Sequence, residues 1–132
     1  MNWEILEQEV KALADKIDYH PDLIVGISRG GIVPARLLIK YLEIKDLHCI
    51  SVKKIGEERQ VTTEINEDLK NKNILLVEDI LETGRSLIKA KEYLETKGTT
   101  IKTCCLYTMP IAEIKPDFYL KEIKEPESFP WE

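Results

Sequence analysis

The chain has 132 residues, a length that fits one domain with a hydrophobic core of its own. Its composition, with 43% hydrophobic and 33% charged residues, is ordinary for a globular protein, and its formal charge of −5 argues against a general nucleic-acid or anionic-membrane surface. The start lacks a basic leader, and no apolar run approaches the ~20 residues of a membrane span. We therefore expect a cytoplasmic protein whose partners include neither nucleic acid nor membrane.

Helices and strands alternate in the first half of the predicted structure. Apolar residues recur at spacings of three and four over residues 3–17 and predict an amphipathic helix. Residues 23–27 are apolar on both faces, as in a buried parallel strand, and lead into a turn at 28–31. A helix to about Leu42 and a strand over residues 47–53 follow.

The second half continues the alternation after a polar interruption. Residues 54–72 show no sustained core pattern and predict either a surface hairpin or a mobile loop. A helix after Arg85 stops at Gly98, since glycine is the common residue just past a helix end. The predicted strands of this half are residues 74–77, 100–107 and, as a short addition, 117–120.

This alternation implies βαβ units with right-handed crossovers. We predict a single α/β domain over residues 1–132, doubly wound, with a mainly parallel sheet flanked by helices, because no linker or repeat divides the chain. Ligands of such sheets bind beyond the carboxyl ends of the strands. The turn at 28–31 and the segment 78–86 both fall there.

The strongest signal is residues 77–87, Val-Glu-Asp-Ile-Leu-Glu-Thr-Gly-Arg-Ser-Leu, directly after an apolar run. Acids at the end of a buried strand can hold sugar hydroxyls or a metal ion. A short loop before a helix aims N–H groups and hydroxyls at a phosphate. Each feature alone is common, since Thr or Ser before a helix is an ordinary cap. Their conjunction at this spacing predicts a sugar-phosphate site.

A second loop, Ser28-Arg29-Gly30-Gly31, follows the first predicted strand. Bare backbone at the two glycines lets a ligand approach closely, and the helix behind the loop favours an anion. Arg29 adds a planar cation suited to phosphate oxygens. By itself the loop also fits a tight turn with a solvated arginine, but its pairing with residues 77–87 favours an anion site.

The cysteines and histidines carry no such pattern. Cys49, Cys104 and Cys105 lack metal-ligand spacing, and strand alternation sends Cys104 and Cys105 to opposite faces of the sheet. We expect buried, reduced thiols. No ligand pattern surrounds His20 or His48, so we assign them no chemistry.

Residues 77–87 resemble the phosphoribosyl diphosphate (PRPP) signature of the type I phosphoribosyltransferases. The loop at 28–34 and the ending Phe-Pro-Trp-Glu at 129–132 are similar to those of the xanthine–guanine and hypoxanthine–guanine members. The resemblance implies the fold of that family with a small C-terminal hood region. It also implies transfer of the 5-phosphoribosyl group from PRPP to a purine base, a 6-oxopurine being favoured, with Mg²⁺ as cofactor and pyrophosphate released in nucleotide salvage. A homo-oligomer, dimer or tetramer, is the implied assembly.

Roles follow from the resemblance by position. The expected ribose and metal ligands are Glu78 and Asp79; those of the 5′-phosphate are Glu82, Thr83, Gly84, Arg85 and Ser86; and those of the pyrophosphate are Ser28, Arg29 and Gly30. Glu82 and Arg29 are the catalytic candidates, Glu82 as the relay for the purine proton. A non-proline cis peptide is expected between Ser28 and Arg29. Lys53, Lys54 and Arg59 are candidates to reach the pyrophosphate, or they are solvated surface charges.

Base recognition is where the chain departs from the family. Met109 stands where the family has a lysine for the 6-oxo group, and Pro126 lies near the position of the aromatic residue that stacks on the base. We assign the base pocket to Ile80, Met109 and Tyr119. Phe118, Phe129 and Trp131 are other possible stacking surfaces, although Trp131 also fits packing on the core or on a second subunit.

Two alternatives stay open. One is a PRPP- or nucleotide-binding regulator without catalysis, and the other is a phosphoribosyltransferase for a different nitrogenous base. A dinucleotide-binding domain is disfavoured, because no Gly-x-Gly-x-x-Gly follows the first strand.

Overall fold

The structure, a computed structural model, describes all 132 residues. The helices are α1 (Trp3–Lys16), α2 (Ile32–Leu42) and α3 (Arg85–Glu95). The strands are β1 (Leu23–Ser28), β2 (Asp46–Ile55), β3 (Glu58–Val61), β4 (Asn73–Leu81), β5 (Thr100–Thr108) and β6 (Phe118–Glu122). Each helix and strand predicted from the sequence is present.

The strands form one sheet in the order β3-β2-β1-β4-β5-β6. Neighbouring strands are parallel except β2 and β3, which form an antiparallel hairpin at one edge. The strand order reverses between β1 and β4, and ligands of open α/β sheets bind at such a switch point. The predicted mainly parallel sheet is confirmed, and it brings the two predicted loops together.

Helices cover both faces of the sheet. α1 and α2 pack on one face through residues such as Leu6, Val10 and Leu38, all fully buried. α3 packs on the other face through Leu87 and Leu94, also fully buried. The fold is therefore doubly wound, as predicted.

The cysteines test the predicted strand alternation. Cys104 is buried on the α1 and α2 face and Cys105 on the α3 face, which confirms the prediction for this pair. Cys49 is exposed, so the expectation of a buried thiol was wrong there. The reason is its place in β2, next to the edge of the sheet, where Ile50 is the only buried residue of the strand.

The polar segment at 54–72 was only partly understood from the sequence. Its first part completes the hairpin through β3, one of the two alternatives considered. Beyond it, Ile65 and Leu69 are 5% and 1% exposed and join the core under α3. The sequence, which shows no sustained core pattern here, did not reveal these two core residues. Two apolar residues isolated among polar ones form no periodic pattern that a sequence reading detects.

The end of β4 also differs from prediction. β4 continues past Val77 to Leu81, because its pairing with β5 extends to the Leu81–Thr108 pair. The acidic residues that we placed after this strand therefore lie within it. No helix is both long and apolar enough to cross a membrane.

Candidate active site

The loop from β4 to α3 forms the base of the candidate site. Residues 78–87 and Arg59 line a single depression of about 250 Å³. The residues expected around ribose and 5′-phosphate all lie on it: Glu78, Asp79, Glu82, Thr83, Gly84, Arg85 and Ser86. Ile80, expected in the base pocket, lines the same depression.

Gly84 shapes this loop. It precedes α3 with φ +80°, a left-handed conformation that residues with a Cβ rarely adopt. A Cβ at Gly84 would also lie 2.7 Å from Cγ2 of Ile114. The backbone N–H of Arg85 donates to Oγ1 of Thr83 at 3.3 Å, closing the turn. The free N–H groups at the start of α3 leave this end of the helix suited to an anion.

The acidic pair lines the same depression. Asp79 is 9% exposed and Glu78 is half-buried. Their backbone is tightly engaged, with the Asp79 N–H donating to Oε1 of Glu78 at 3.2 Å and the Ile80 N–H donating to Oδ1 of Asp79 at 2.7 Å. The carboxylates therefore have a set orientation.

Burial makes the pair costly to ionise. It raises the pKa of Glu78 well above the usual value, and the charge of Asp79 raises it further. Burial also raises the pKa of Asp79, with a smaller contribution from the charge of Glu132. A cation beside the pair would relieve this cost.

The donor set of the pair fits Mg²⁺. Mg²⁺ prefers oxygen ligands and is commonly held by one or two carboxylates together with water and substrate oxygens. Glu78 and Asp79 supply hard oxygens, and no group of three or more His, Cys, Asp or Glu side chains forms a complete protein cage. Such an ion would thus need oxygens from a bound ligand.

The loop after β1 packs directly against the acidic pair. The Ser28–Arg29 peptide is cis, as predicted. A Cβ on Gly30 would collide with the carboxylate of Asp79, so only glycine permits this approach. The two loops predicted separately therefore form one continuous surface.

A depression of about 650 Å³ on the β2 side of this loop is cationic and rich in hydroxyls. It is lined by Ser28, Arg29, Ser51, Val52 and Lys53. The hydroxyls of Ser28 and Ser51 lie 2.7 Å apart in a hydrogen bond. Two cations and two hydroxyls in one depression suit an anion such as pyrophosphate.

The three cationic residues of the hairpin differ in the cavity that they line. Lys53 faces the depression of Arg29, and Arg59 faces that of the phosphate loop. Lys54 lines neither. Among the three candidates, position in the fold thus favours Lys53 and Arg59 as ligand-contacting residues.

A third cleft, of about 680 Å³, lies between the β1 loop and the C-terminal segment. Its lining comprises Arg29, Gly30, Ile32, Val33, Asp79, Trp131 and Glu132. It shares Arg29 with the cationic depression and Asp79 with the phosphate depression. The three cavities therefore meet around these two residues.

Met109 and Tyr119, which we expected in the base pocket, line none of the three cavities. The Met109 N–H donates to the Leu81 carbonyl at 2.9 Å, which holds the residue at the end of β5. Tyr119 packs against the core on the α3 face. Both residues were assigned to the base pocket from their positions along the chain. In the structure they lie in or beside the strands β5 and β6, away from the three cavities.

The connection between β5 and β6 contributes residues that the sequence did not reveal. Glu113 accepts two hydrogen bonds from the Arg85 guanidinium, at 3.2 and 3.3 Å, and its N–H donates to the Thr83 carbonyl at 2.7 Å. Arg85 is thus ion-paired, and its side chain is already engaged. No local pattern in the sequence marks Glu113, and Ser51 comes to lie beside Ser28 only through the parallel register of β1 and β2.

Comparison with known proteins gives consistent results. Residues 2–132 match the phosphoribosyl transferase domain family. A hypoxanthine-guanine phosphoribosyltransferase of Lactococcus lactis subsp. lactis is 36% identical over 107 residues, or 73% of this chain and 58% of that protein. A xanthine-guanine phosphoribosyltransferase of Cereibacter sphaeroides is 27% identical over 146 aligned positions, or 100% of this chain and 85% of that protein. The crystal structure of a purine phosphoribosyltransferase from Pyrococcus horikoshii superposes with a TM-score of 0.93 at 35% identity, covering 100% and 92% of the two chains.

Proposed function

Since the chain belongs to the phosphoribosyltransferase family, we propose that it transfers the 5-phosphoribosyl group of PRPP to a purine base in nucleotide salvage. One structural observation supports this proposal independently of family membership. Three cavities of different character meet at Asp79 and Arg29, and PRPP with its acceptor has three parts of matching character. The relatives named for purine substrates favour a purine as the acceptor.

The phosphate loop would hold the 5′-phosphate and the ribose. N–H groups and hydroxyls of residues 82–86 surround the phosphate, and Glu78 and Asp79 accept hydrogen bonds from the ribose hydroxyls. The same two carboxylates would hold Mg²⁺ together with oxygens of PRPP. When bound, Mg²⁺ supplies positive charge that stabilises the diphosphate group.

The leaving group would occupy the cationic depression. As the acceptor nitrogen forms a bond to C1 of the ribose, the C1–O bond breaks and pyrophosphate departs with the electron pair. Arg29 and Lys53, with the hydroxyls of Ser28 and Ser51, stabilise the negative charge that develops there. The proton released by the purine passes to Glu82, whose exposed carboxylate lies at the rim of the phosphate depression.

The test is an incubation with PRPP and Mg²⁺ together with hypoxanthine, guanine, xanthine, adenine, uracil or orotate in turn. We expect pyrophosphate release with at least one purine. The double variant Glu78→Gln/Asp79→Asn should lose PRPP binding, because it removes both carboxylate charges, on which the hold on Mg²⁺ and the strong hydrogen bonds from the ribose hydroxyls depend. Measurable PRPP binding without turnover of any base would refute the enzyme and leave the regulator.

The non-catalytic regulator remains the second candidate for one reason. Met109 replaces the expected lysine and lies outside the three cavities, so no cation at that position meets a 6-oxo group. We also propose a cytoplasmic location and a homodimer or homotetramer, both from the family resemblance. Light scattering coupled to size-exclusion chromatography measures the assembly.

A further inference from the structure

The cleft beside the β1 loop has the position that an acceptor base requires. An acceptor must lie next to the ribose, which the proposed function places at Asp79, and apart from the departing pyrophosphate. The cleft contains Asp79 and extends along α2, past Ile32 and Val33. The cationic depression extends from Arg29 towards β2 instead. The cleft and the cationic depression therefore extend in different directions from the proposed position of C1 of the ribose.

Of the aromatic residues considered for stacking on a base, Trp131 alone lines this cleft. Phe118 is stacked on Tyr19, with ring centroids 5.9 Å apart and planes 14° apart. Tyr119 packs on the α3 face of the sheet. Phe129 is 2% exposed and has no free surface for a ligand.

The ring of Trp131 is held by a column of aromatic side chains. It lies 4.6 Å from Phe129 with planes only 4° apart, and Phe129 lies 6.0 Å from Tyr107 at 12°. Tyr107 is fixed in turn, since its hydroxyl donates to Oε1 of Glu9 at 3.0 Å. An aromatic surface oriented before binding loses little side-chain entropy when a ligand stacks on it.

We infer that Trp131 is the surface on which the acceptor base stacks. The inference rests on the proposed function and deepens it. Stacking increases with the area of the two rings in contact, and Ile32 and Val33 supply further apolar contacts in the same cleft. Trp131 thus takes the part that the missing aromatic residue near Pro126 would have played.

Two ligands that differ only in the base separate this role from the rest of the site. We would measure the affinity for a purine nucleoside monophosphate and for ribose 5-phosphate, which has no base. Trp131→Ala should weaken nucleotide binding about 5- to 100-fold, the range for loss of one base–aromatic stack. Ribose 5-phosphate should bind as before. Trp131→Phe should restore most of the nucleotide affinity, whereas Trp131→Leu, apolar without an aromatic face, should not.

Trp3 supplies the matched control and a direct optical readout. It is 55% exposed and lies 6.3 Å from Trp131 outside the cleft. In a Trp3→Phe background both affinities should be unchanged, and the remaining fluorescence of Trp131 should be quenched by guanosine monophosphate but not by ribose 5-phosphate.

Three outcomes are decisive. Unchanged nucleotide affinity in the Trp131→Ala protein, or absent quenching, overturns the inference and leaves the proposed function intact. Equal loss of both ligands in a protein that melts like the wild type also overturns it, because Trp131 would then only support the fold of the site. A wild-type protein that binds neither ribose 5-phosphate nor PRPP refutes the proposed function itself.

Discussion

Glu78 and Asp79 illustrate at the scale of single residues how a site of this kind conflicts with stability. Two adjacent carboxylates, one buried and one half-buried, lie near the end of a central strand, and neither has a cationic side chain as hydrogen-bond or ion-pair partner. An ionised carboxylate without a cation is unfavourable in such surroundings. The presence of both carboxylates is explained if a bound cation and the hydroxyl groups of a ligand compensate their charge.

Replacing Glu78 should therefore stabilise the free protein. Its pKa is higher in the folded protein than in the unfolded chain, so the folded state binds more protons between those two values. Stability consequently falls as pH rises through that interval. Glu78→Gln removes this cost and should raise the melting temperature at neutral pH by about 3 °C or more, as about 1 kcal/mol implies for a chain of this size.

Thermal melts from pH 4 to 8 in the presence of a chelator measure this effect. The gain should be largest at neutral pH and should vanish near pH 4, where the carboxyl is protonated in both states. Glu57→Gln, at an exposed turn position, is the control and should show no gain. A Glu78→Gln protein with the wild-type pH profile would contradict the assigned burial cost.

Gly30 gives a second residue-scale prediction. A Cβ at this position would meet the Asp79 carboxylate, so Gly30→Ala should displace the acid and reduce PRPP affinity at least tenfold. Gly56→Ala is the comparison, because nothing lies within 4 Å of its Cβ position. With φ +65°, that variant should lose about 1 kcal/mol of stability but no PRPP affinity. Calorimetric titration of both variants with PRPP and Mg²⁺ distinguishes the two effects.

At the scale of elements, the hairpin of β2 and β3 contributes two of the cations that line the site. It places Lys53 beside Arg29 and Arg59 at the rim of the phosphate depression. The acidic pair of β4 lines the same depression as Arg59. The site therefore combines charges of both signs, contributed by different elements, as a ligand with phosphates and a bound cation requires.

Arg59→Ala should weaken PRPP binding about fivefold, as loss of one partly exposed charge-assisted contact implies. The loss should shrink at high salt, because the charge of Arg59 is partly exposed to solvent and is therefore screened. Lys54→Ala, one residue from Lys53 but outside both depressions, should bind PRPP like the wild type. If both variants lose affinity equally, the effect of Arg59 comes from net charge and not from its position.

For the whole molecule, the topology decides where the chemistry can occur. The sheet order reverses between β1 and β4, so their two loops emerge side by side. Helices on both faces bury the sheet and leave the carboxyl ends of these strands open. This arrangement, and not any single residue, brings an anion loop against an acidic pair.

Much of this was predictable because the signals are local. Residues 77–87 comprise the end of a strand, a loop and the start of a helix, and the loop at 28–31 joins β1 to α2 in the same way, so these local patterns alone indicated a sugar phosphate and an anion. The alternation of elements likewise predicted the sheet and its doubly wound form. The exposed Cys49 and the buried Ile65 and Leu69 escaped prediction, since their burial depends on how near the sheet edge or under which helix they lie.

The sequence by itself thus determined the fold class, the two loops and the family to which the chain belongs. Only the tertiary structure decided that Ser51 and Lys53 join Arg29, that Glu113 engages Arg85, and that Trp131 and not Tyr119 lies in the cleft beside Asp79. The physical reason is distance along the chain. Residues within one strand–loop–helix unit are positioned by local backbone geometry, whereas these residues are brought together by sheet register and by packing of the C-terminal aromatic column.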